Sequence, residues 1–344
     1  MEMCASFNRQ ALTIDTRAEV ERICLALART VRKRLRRKGA IVGVSGGVDS
    51  AVVLALCVRS FGPQRVRAVI MPERDSAPES EALARLVAAE CGLSPIVEEI
   101  TGILEAFRCY ERRDEAIRRA FPEYDTGLGY RAKITLPPNL LEKDTLNIFS
   151  LTVISADGKT VTKKLSAPDL YQIIAASNIK QRTRMATLYY YAELHNFAVI
   201  GTANKNEDDL GFFVKYGDGG IDVKPIAHLY KTQVYQLAEF FGIPELIRQR
   251  VPTTDTYNAG STQEEFFFRL PFETMDLLWY GMESHAPLSE VAEVMNLSEP
   301  QVVRAYNDLV RKRRTSEYLK LPPIGLGRGP GENLTDTWDD EPLQ

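Results

Sequence analysis

Ile41–Val42–Gly43–Val44–Ser45–Gly46–Gly47–Val48–Asp49–Ser50 is the stretch on which the fold turns. Ile41 to Val44 reads as the end of a buried strand. Two glycines follow, then a carboxylate, a hydroxyl and an apolar run. That run, Ala51 to Phe61, reads as a helix closed by Gly62–Pro63. Glycines at 46 and 47 let the backbone turn sharply with its N–H groups outward, and such a turn at a helix N-terminus makes a concave anion site. Ser45 and Ser50 can donate to anionic oxygens, and Asp49 can hold a Mg²⁺ beside them.

The strand–helix rhythm continues outward from this stretch. Asp15–Thr16 predicts a helix running to about Arg37, with a cationic far end. Val66 to Met71 and Ile96 to Ile100 read as strands, with a helix over Ser80 to Cys91 between them. The rhythm returns with a helix over Asn178 to Asn196, a strand over Phe197 to Thr202 and a helix over Lys231 to Phe241. Short apolar strands alternating with helices imply an α/β fold with a doubly wound, mostly parallel sheet, whose ligands sit at the C-terminal strand ends.

Between about 105 and 177 the rhythm breaks. Leu146 to Ile154 and Thr160 to Leu165 flank Asp157–Gly158, a strong hairpin signal. Gly127, Gly129, Pro137 and Pro138 suggest irregular chain before it, so the region reads as an excursion from the sheet. The segment 264–318 reads as helical, and 325–344, rich in glycine, proline and acid, as a disordered tail. One unit spanning 1–324 with a hairpin excursion is the expected organisation.

Bulk composition narrows the function. The chain has 344 residues, 44% apolar content and a net charge of −3, which suits a globular core and argues against strong non-specific affinity for nucleic acid or an anionic membrane. No long uncharged apolar segment and no basic-then-apolar leader occur. Five cysteines, at 4, 24, 57, 91 and 109, include no C-x-x-C. An odd, scattered set suits a reducing cytoplasm and leaves no cysteine zinc or iron–sulfur site. His195, His228 and His285 lie too far apart for metal-ligand spacing.

Two later clusters complete a candidate site. Ile200 to Glu207 ends a strand in a small-residue turn and then offers a carboxylate, placing Thr202 and Glu207 at the sheet edge that carries Asp49. Two carboxylates at a phosphate-binding edge suit a phosphate-bound Mg²⁺, although Glu207, Asp208 and Asp209 would also suit a solvated helix start. Gly211 to Asp222 sets two aromatics before Lys215 and a glycine-rich, acid-bearing loop, with Lys231 and Pro252–Thr253 downstream.

The first loop is not a Walker loop; it resembles the S-G-G-x-D-S loop of the N-type ATP pyrophosphatases, which cut ATP between its α and β phosphates. Within that group G-T-x-N-K-x-E at 201–207, G-F-F-x-K-Y-G-D-G-G-x-D at 211–222 and P-I-x-x-L-Y-K-T-Q-V at 225–234 resemble the NAD synthetase family, over most of 15–255. The resemblance implies ATP- and Mg²⁺-dependent adenylation of the nicotinate carboxylate of deamido-NAD, then attack by ammonia to give NAD, AMP and pyrophosphate. It implies that Gly43, Val44, Ser45, Gly46, Gly47, Val48, Asp49 and Ser50, with Met71, Thr202, Lys231 and Thr253, hold ATP. It makes Asp49 and Glu207 the Mg²⁺ ligands and puts Arg182, Lys215 and Asp222 on the deamido-NAD side. It also implies a homodimer. Asp49, Lys215, Asp222 and Lys231 are the expected catalytic set, with Asp222 in a position to take a proton from ammonium.

The chemistry agrees with that set. A carboxylate is a poor electrophile and must first gain a leaving group, so the protein chiefly positions two anions and neutralises their charge. No separate glutaminase region precedes the motif, and Cys4 is not at position 2, so ammonia or a partner supplying it is expected. The pattern departs from the family at Ser316–Pro323 and Thr253–Tyr257 and in the long excursion, which leaves open amidation or thiolation of a different substrate. A nucleic-acid-binding regulator is the other reading, because Leu288–Ser298 and Pro300–Val310 have helix-turn-helix spacing and Arg311, Arg313 and Arg314 follow.

Overall fold

The computed structural model describes residues 7–137, 140–142, 149–253 and 257–325. The expected tail from 326 on, the start of the first hairpin strand at 146–148, Cys4, Pro138 and Thr254–Thr256 lie outside the described residues. Four parallel strands, β1 (Ala40–Gly43), β2 (Val66–Ile70), β3 (Ile96–Val97) and β7 (Ala198–Ile200), form the central sheet in the order β3-β2-β1-β7. Three further strands, β4 (Arg131–Thr135), β5 (Ser150–Ile154) and β6 (Thr160–Lys164), form a separate antiparallel sheet in sequence order.

Period-two alternation separates the two faces of the central sheet. Ala40 and Val42 of β1, Val66, Ala68 and Ile70 of β2 and Ala198 and Ile200 of β7 join one core cluster. That cluster also takes in α1 (Thr16–Arg29), α2 (Val48–Phe61), α3 (Pro78–Glu90) and α8 (Lys231–Phe240). Ile41, Val69 and Val199 point the other way, onto α4 (Thr101–Ala106), α5 (Cys109–Ala120) and the 29-residue α6 (Ala167–His195). This is a doubly wound sheet, as expected. The chain leaves β1 toward β2 over one face and reaches β7 from α6 on the other, so the order reverses at β1 and opens a crevice at the C-terminal ends of β1 and β7.

The remaining helices are α7 (Lys205–Leu210), α9 (Glu245–Arg248), α10 (Phe272–Glu283), α11 (Leu288–Met295) and α12 (Glu299–Lys320). The last three pack around the fully buried Trp279 with Val291, Val302, Ala305 and Leu309. In that packing Lys312 turns inward and donates to Asp308 Oδ2 at 2.6 Å and to the Phe268 carbonyl at 3.2 Å, so the basic run of α12 is not one solvated face. Among the described residues no helix is long and apolar enough to cross a membrane.

Several boundaries differ from the sequence reading. The first helix gives way at Thr30–Arg34 to one π turn, which keeps Val31 in the core while Arg32, Lys33 and Arg34 stay outside. The third strand has only two ladder residues. Glu98 N and Ile100 N still donate to the carbonyls of Ile70 and Pro72, at 2.9 and 3.1 Å, but Pro72 has no N–H to return. α6 begins at Ala167 rather than 178, because Ser166 caps it by accepting from Asp169 N at 3.2 Å. The excursion holds α5, β4 and the start of α6 besides the hairpin, whose register pairs Ile154 with Thr160 around Asp157–Gly158. Loop 73–75 is pinned over α5 and α6. Lys180 Nζ lies 2.8 Å from both Glu73 Oε1 and Asp75 Oδ2, and Arg113 Nη1 donates to the same Asp75 oxygen.

Gly46 shows how tightly the first loop is built. Its φ is +77°, and a Cβ there would lie 2.7 Å from the Ser80 carbonyl and 2.9 Å from Leu83 Cβ. Gly46→Ala is expected to lower stability by about 2–4 kcal/mol, combining the left-handed backbone with a push against α3. Gly62→Ala also has a positive φ, +79° with ψ 154°, but meets open space, so its loss of about 1–3 kcal/mol is backbone strain without a clash. Denaturant midpoints of the two variants measure the difference.

Candidate active site

The loop after β1 is braced from within. Ser50 Oγ donates to the Gly47 carbonyl at 2.9 Å and accepts from Ser45 N at 3.3 Å, while Gly47 N donates to Ser45 Oγ at 3.3 Å. Gly47 is the N-cap of α2, so the positive end of a 14-residue helix opens at this loop. Asp49 stands in its first turn.

Across the switch point, the turn after β7 supplies the facing wall. Asn204 caps α7 by accepting from Glu207 N at 3.1 Å, and Glu207 Oε2 accepts from Asn204 N at 3.3 Å. The same Asn204 gives its Nδ2 to Asp49 Oδ1 at 2.9 Å, so one side chain ties both carboxylate-bearing helices together. Lys231 comes from the start of α8, where Asn206 Oδ1 accepts from its N–H at 3.0 Å and Asp276 Oδ2 accepts from Thr232 N at 2.9 Å. Its ammonium forms an ion pair with Asp49 Oδ2, and its side chain is 1% exposed.

The electrostatics follow from this crowding. Burial, and then the neighbouring Asp49 charge, push the Glu207 carboxyl up to about 8, against a smaller pull from Lys231. Burial opposes the Lys231 charge, but Asp49 and then Glu207 outweigh it and hold its pKa above the ordinary value. Two carboxylates thus share one lysine in a poorly hydrated place.

Thr202, Asp49, Glu207 and Lys231 line a cleft of about 140 Å³, with Ser45, Gly47, Val48 and Ser50 of the first loop. Its remaining wall is a C-terminal strap, Arg250 to Thr253 with Gln263, closed by a Thr253–Thr262 bridge and by Gln263 N donating to the Pro252 carbonyl at 2.9 Å. Arg250 reaches Ser80 Oγ at 2.8 Å, and Gln263 Nε2 donates to Glu207 Oε1 at 3.1 Å.

Other expected residues stand elsewhere. Gly43 lies against Leu188 and Met71 on the α6 side of the sheet, and Val44 and Gly46 are buried under the loop. Arg182 Nε donates to the Lys215 carbonyl at 3.3 Å. Lys215 Nζ donates to the carbonyls of Tyr318 and Leu321 at the end of α12, at 2.9 and 2.8 Å. Asp222 accepts from Val199 N at 2.8 Å and from the Tyr189 hydroxyl at 3.1 Å. All three lie outside the Asp49 cleft: Arg182 on α6 meets Lys215, while Asp222, at the end of the glycine-rich loop, is tied to β7 and α6. Asn204, Arg250 and Gln263 were not singled out from sequence. The N-x-x-E spacing of Asn204 and Glu207 is a capping signal that points to the first, and no local pattern marks the other two.

A helix N-terminus facing two carboxylates and a lysine suits a metal-bound polyphosphate. The model of the NAD synthase family matches residues 19–121 and 139–321, on both sides of a gap that contains β4. The chain belongs to the NAD synthase family. Among curated relatives, the NH(3)-dependent NAD(+) synthetase of Mesorhizobium japonicum is 50% identical over 313 residues, covering 91% of this chain and 97% of the relative. That of Rhizobium meliloti is 49% identical over 318 residues (92% and 94%). That of Thermotoga maritima is 35% identical over 271 residues (76% and 89%). Two solved structures share the fold of this NAD synthase family chain. An NH3-dependent NAD synthetase from Campylobacter jejuni superposes with a TM-score of 0.58 at 23% identity, covering 91% of this chain and all of that one. An NMN synthetase from Francisella tularensis superposes at 0.57 and 19%, with 91% and 98% covered.

Proposed function

We propose that this chain is an ammonia-dependent ligase. It adenylates the nicotinate carboxylate of deamido-NAD with ATP, then joins ammonia to the activated acyl group, giving NAD, AMP and pyrophosphate. The observation that carries the reading is the Asp49–Lys231–Glu207 cluster at the mouth of the Ser45–Ser50 loop, in a family member 50% identical to a named NH(3)-dependent synthetase.

The loop from Gly43 to Ser50 and the α2 N-terminus cradle the ATP phosphates, with Met71, Thr202 and Thr253 around the nucleotide. Lys231 offsets the charge that builds as pyrophosphate leaves. The donor set fits Mg²⁺: Asp49 and Glu207 face one cleft, where burial and then the Asp49 charge push Glu207 up, and a dication would favour both carboxylates in their charged form. Bound there, Mg²⁺ would supply charge shielding for the phosphates. Arg182 and Lys215 serve the acid-bearing substrate beside the glycine-rich loop. Asp222, with both oxygens already accepting, anchors that loop to β7 and α6 in the resting protein and releases its Tyr189 bond if it is to take a proton. The reading includes a homodimer, a reducing cytoplasm in which Cys24, Cys57, Cys91 and Cys109 stay free thiols, and ammonia that is dissolved or handed over by a separate glutaminase.

Incubation with ATP, Mg²⁺, ammonium and deamido-NAD is expected to yield NAD and AMP in equal amounts. Release of ADP, or no ATP consumption with any nicotinate-bearing acid, overturns the reading. Turnover of another nicotinate-bearing acid in preference to deamido-NAD keeps the chemistry and changes the substrate.

A further inference from the structure

We infer that Gln263 is a positioning residue for the metal-facing carboxylate of Glu207. This rests on the proposed Mg²⁺–ATP site. The Gln263 amide presents its NH₂ to Glu207, with Nε2 3.1 Å from Oε1, and a carboxylate that holds a cation is ionised and only accepts, which fixes the amide in this sense. Glu207 Oε2 is engaged by Asn204 N at 3.3 Å. The two bonds hold both carboxylate oxygens and orient the group in the cleft.

The other end of the amide is what points to a ligand. Gln263 is 9% exposed, and among the described residues its Oε1 has no hydrogen-bond partner. A buried carbonyl oxygen left without a donor is costly and calls for an explanation. An O–H from water carried by a cation at Asp49 and Glu207 is a donor that would fill this place. Outer groups of this kind orient metal ligands and set metal affinity.

The strap is built to keep Gln263 there. Its backbone N–H is fixed to the Pro252 carbonyl at 2.9 Å, and Thr253 bridges Thr262. The excursion grips the strap from outside: Ala132 N donates to Asn258 Oδ1 and Lys133 Nζ to Glu265 Oε2, each at 2.8 Å. β4, which makes both contacts, lies in the stretch 122–138 outside the family match, so the buttress for the residue beside Glu207 comes from outside the matched segments.

The test reads metal binding directly. Mn²⁺ is titrated into the full-length protein with α,β-methylene-ATP and followed by electron paramagnetic resonance, for wild type, Gln263→Leu and Gln263→Ala. Both variants are expected to weaken Mn²⁺ about 10–100-fold, while analogue binding in EDTA stays within about twofold. Equal weakening with and without metal would mean that Gln263 only supports the strap, and overturns the inference. Unchanged Mn²⁺ affinity in Gln263→Ala overturns it too and leaves the metal site standing. No Mn²⁺ binding by wild type removes the site and the inference together. If Gln263→Leu misfolds, Gln263→Ala alone decides.

Discussion

Asp49→Asn is expected to reduce turnover about 10³-fold, the scale on which removing one precisely placed charge-stabilising group acts, while the melting midpoint stays within a few degrees. The asymmetry follows from the partners. An asparagine keeps an oxygen for Asn204 Nδ2, so the bond that ties α2 to the β7 turn survives. Lys231 loses its ion-pair partner but keeps Glu207 as a counter-charge, and Glu207 in turn loses the neighbour that lifts its pKa. The local charge therefore rebalances without Asp49, and the fold is spared. What the variant lacks is one of the two anionic oxygen donors facing the nucleotide. Steady-state AMP release across a Mg²⁺ titration measures the loss, and circular dichroism checks the fold. Glu207→Gln is expected to behave the same way. Full activity in both variants would contradict the metal assignment.

Legibility followed the range of the forces involved. The loop from Ser45 to Ser50, the strand before it and the helix after it are set by neighbours within a few residues. Glycine torsions, an apolar run and an N-terminal carboxylate are all visible in order. The same holds for Asn204 and Glu207, joined by a capping box and three residues apart. α6 starts eleven residues ahead of its expected Asn178 because Ser166 caps it through Asp169, upstream of the apolar pattern. β4 escaped because its strand character comes from pairing with β5 and from Asn258, 126 residues away. Arg250 and Gln263 escaped for the same reason: each owes its place in the cleft to a strap fixed by contacts distant in sequence. Asp222 shows the converse. Its motif was plain, yet its hydrogen bonds to Val199 and Tyr189 depend on the sheet and on α6, and no spacing encodes them.

Lys231→Met is expected to damage both stability and chemistry, and stability more than any other substitution in the cleft. The lysine is 1% exposed and Asp49 16% exposed, so the pair lies where water screens poorly. Removing the ammonium leaves the Asp49 carboxylate without its cation, beside a Glu207 carboxyl that burial already pushes up to about 8, and breaking a buried pair from one side costs about 3–5 kcal/mol. The backbone of residue 231 is held independently by Asn206 and Thr232 by Asp276, so α8 should still form and the loss should register as a lowered denaturant midpoint with an unchanged slope. The decisive comparison is the double variant Asp49→Asn/Lys231→Met. With Asp49 neutralised as well, the charge that lost its partner is gone, so the double variant should recover about 1–3 kcal/mol relative to Lys231→Met alone. Turnover should not recover, because the charge that balances the departing pyrophosphate is still missing. Additive stability losses would show that Lys231 stands by packing rather than by charge, and the cleft would then lack the electrostatic balance on which the proposed adenylation depends.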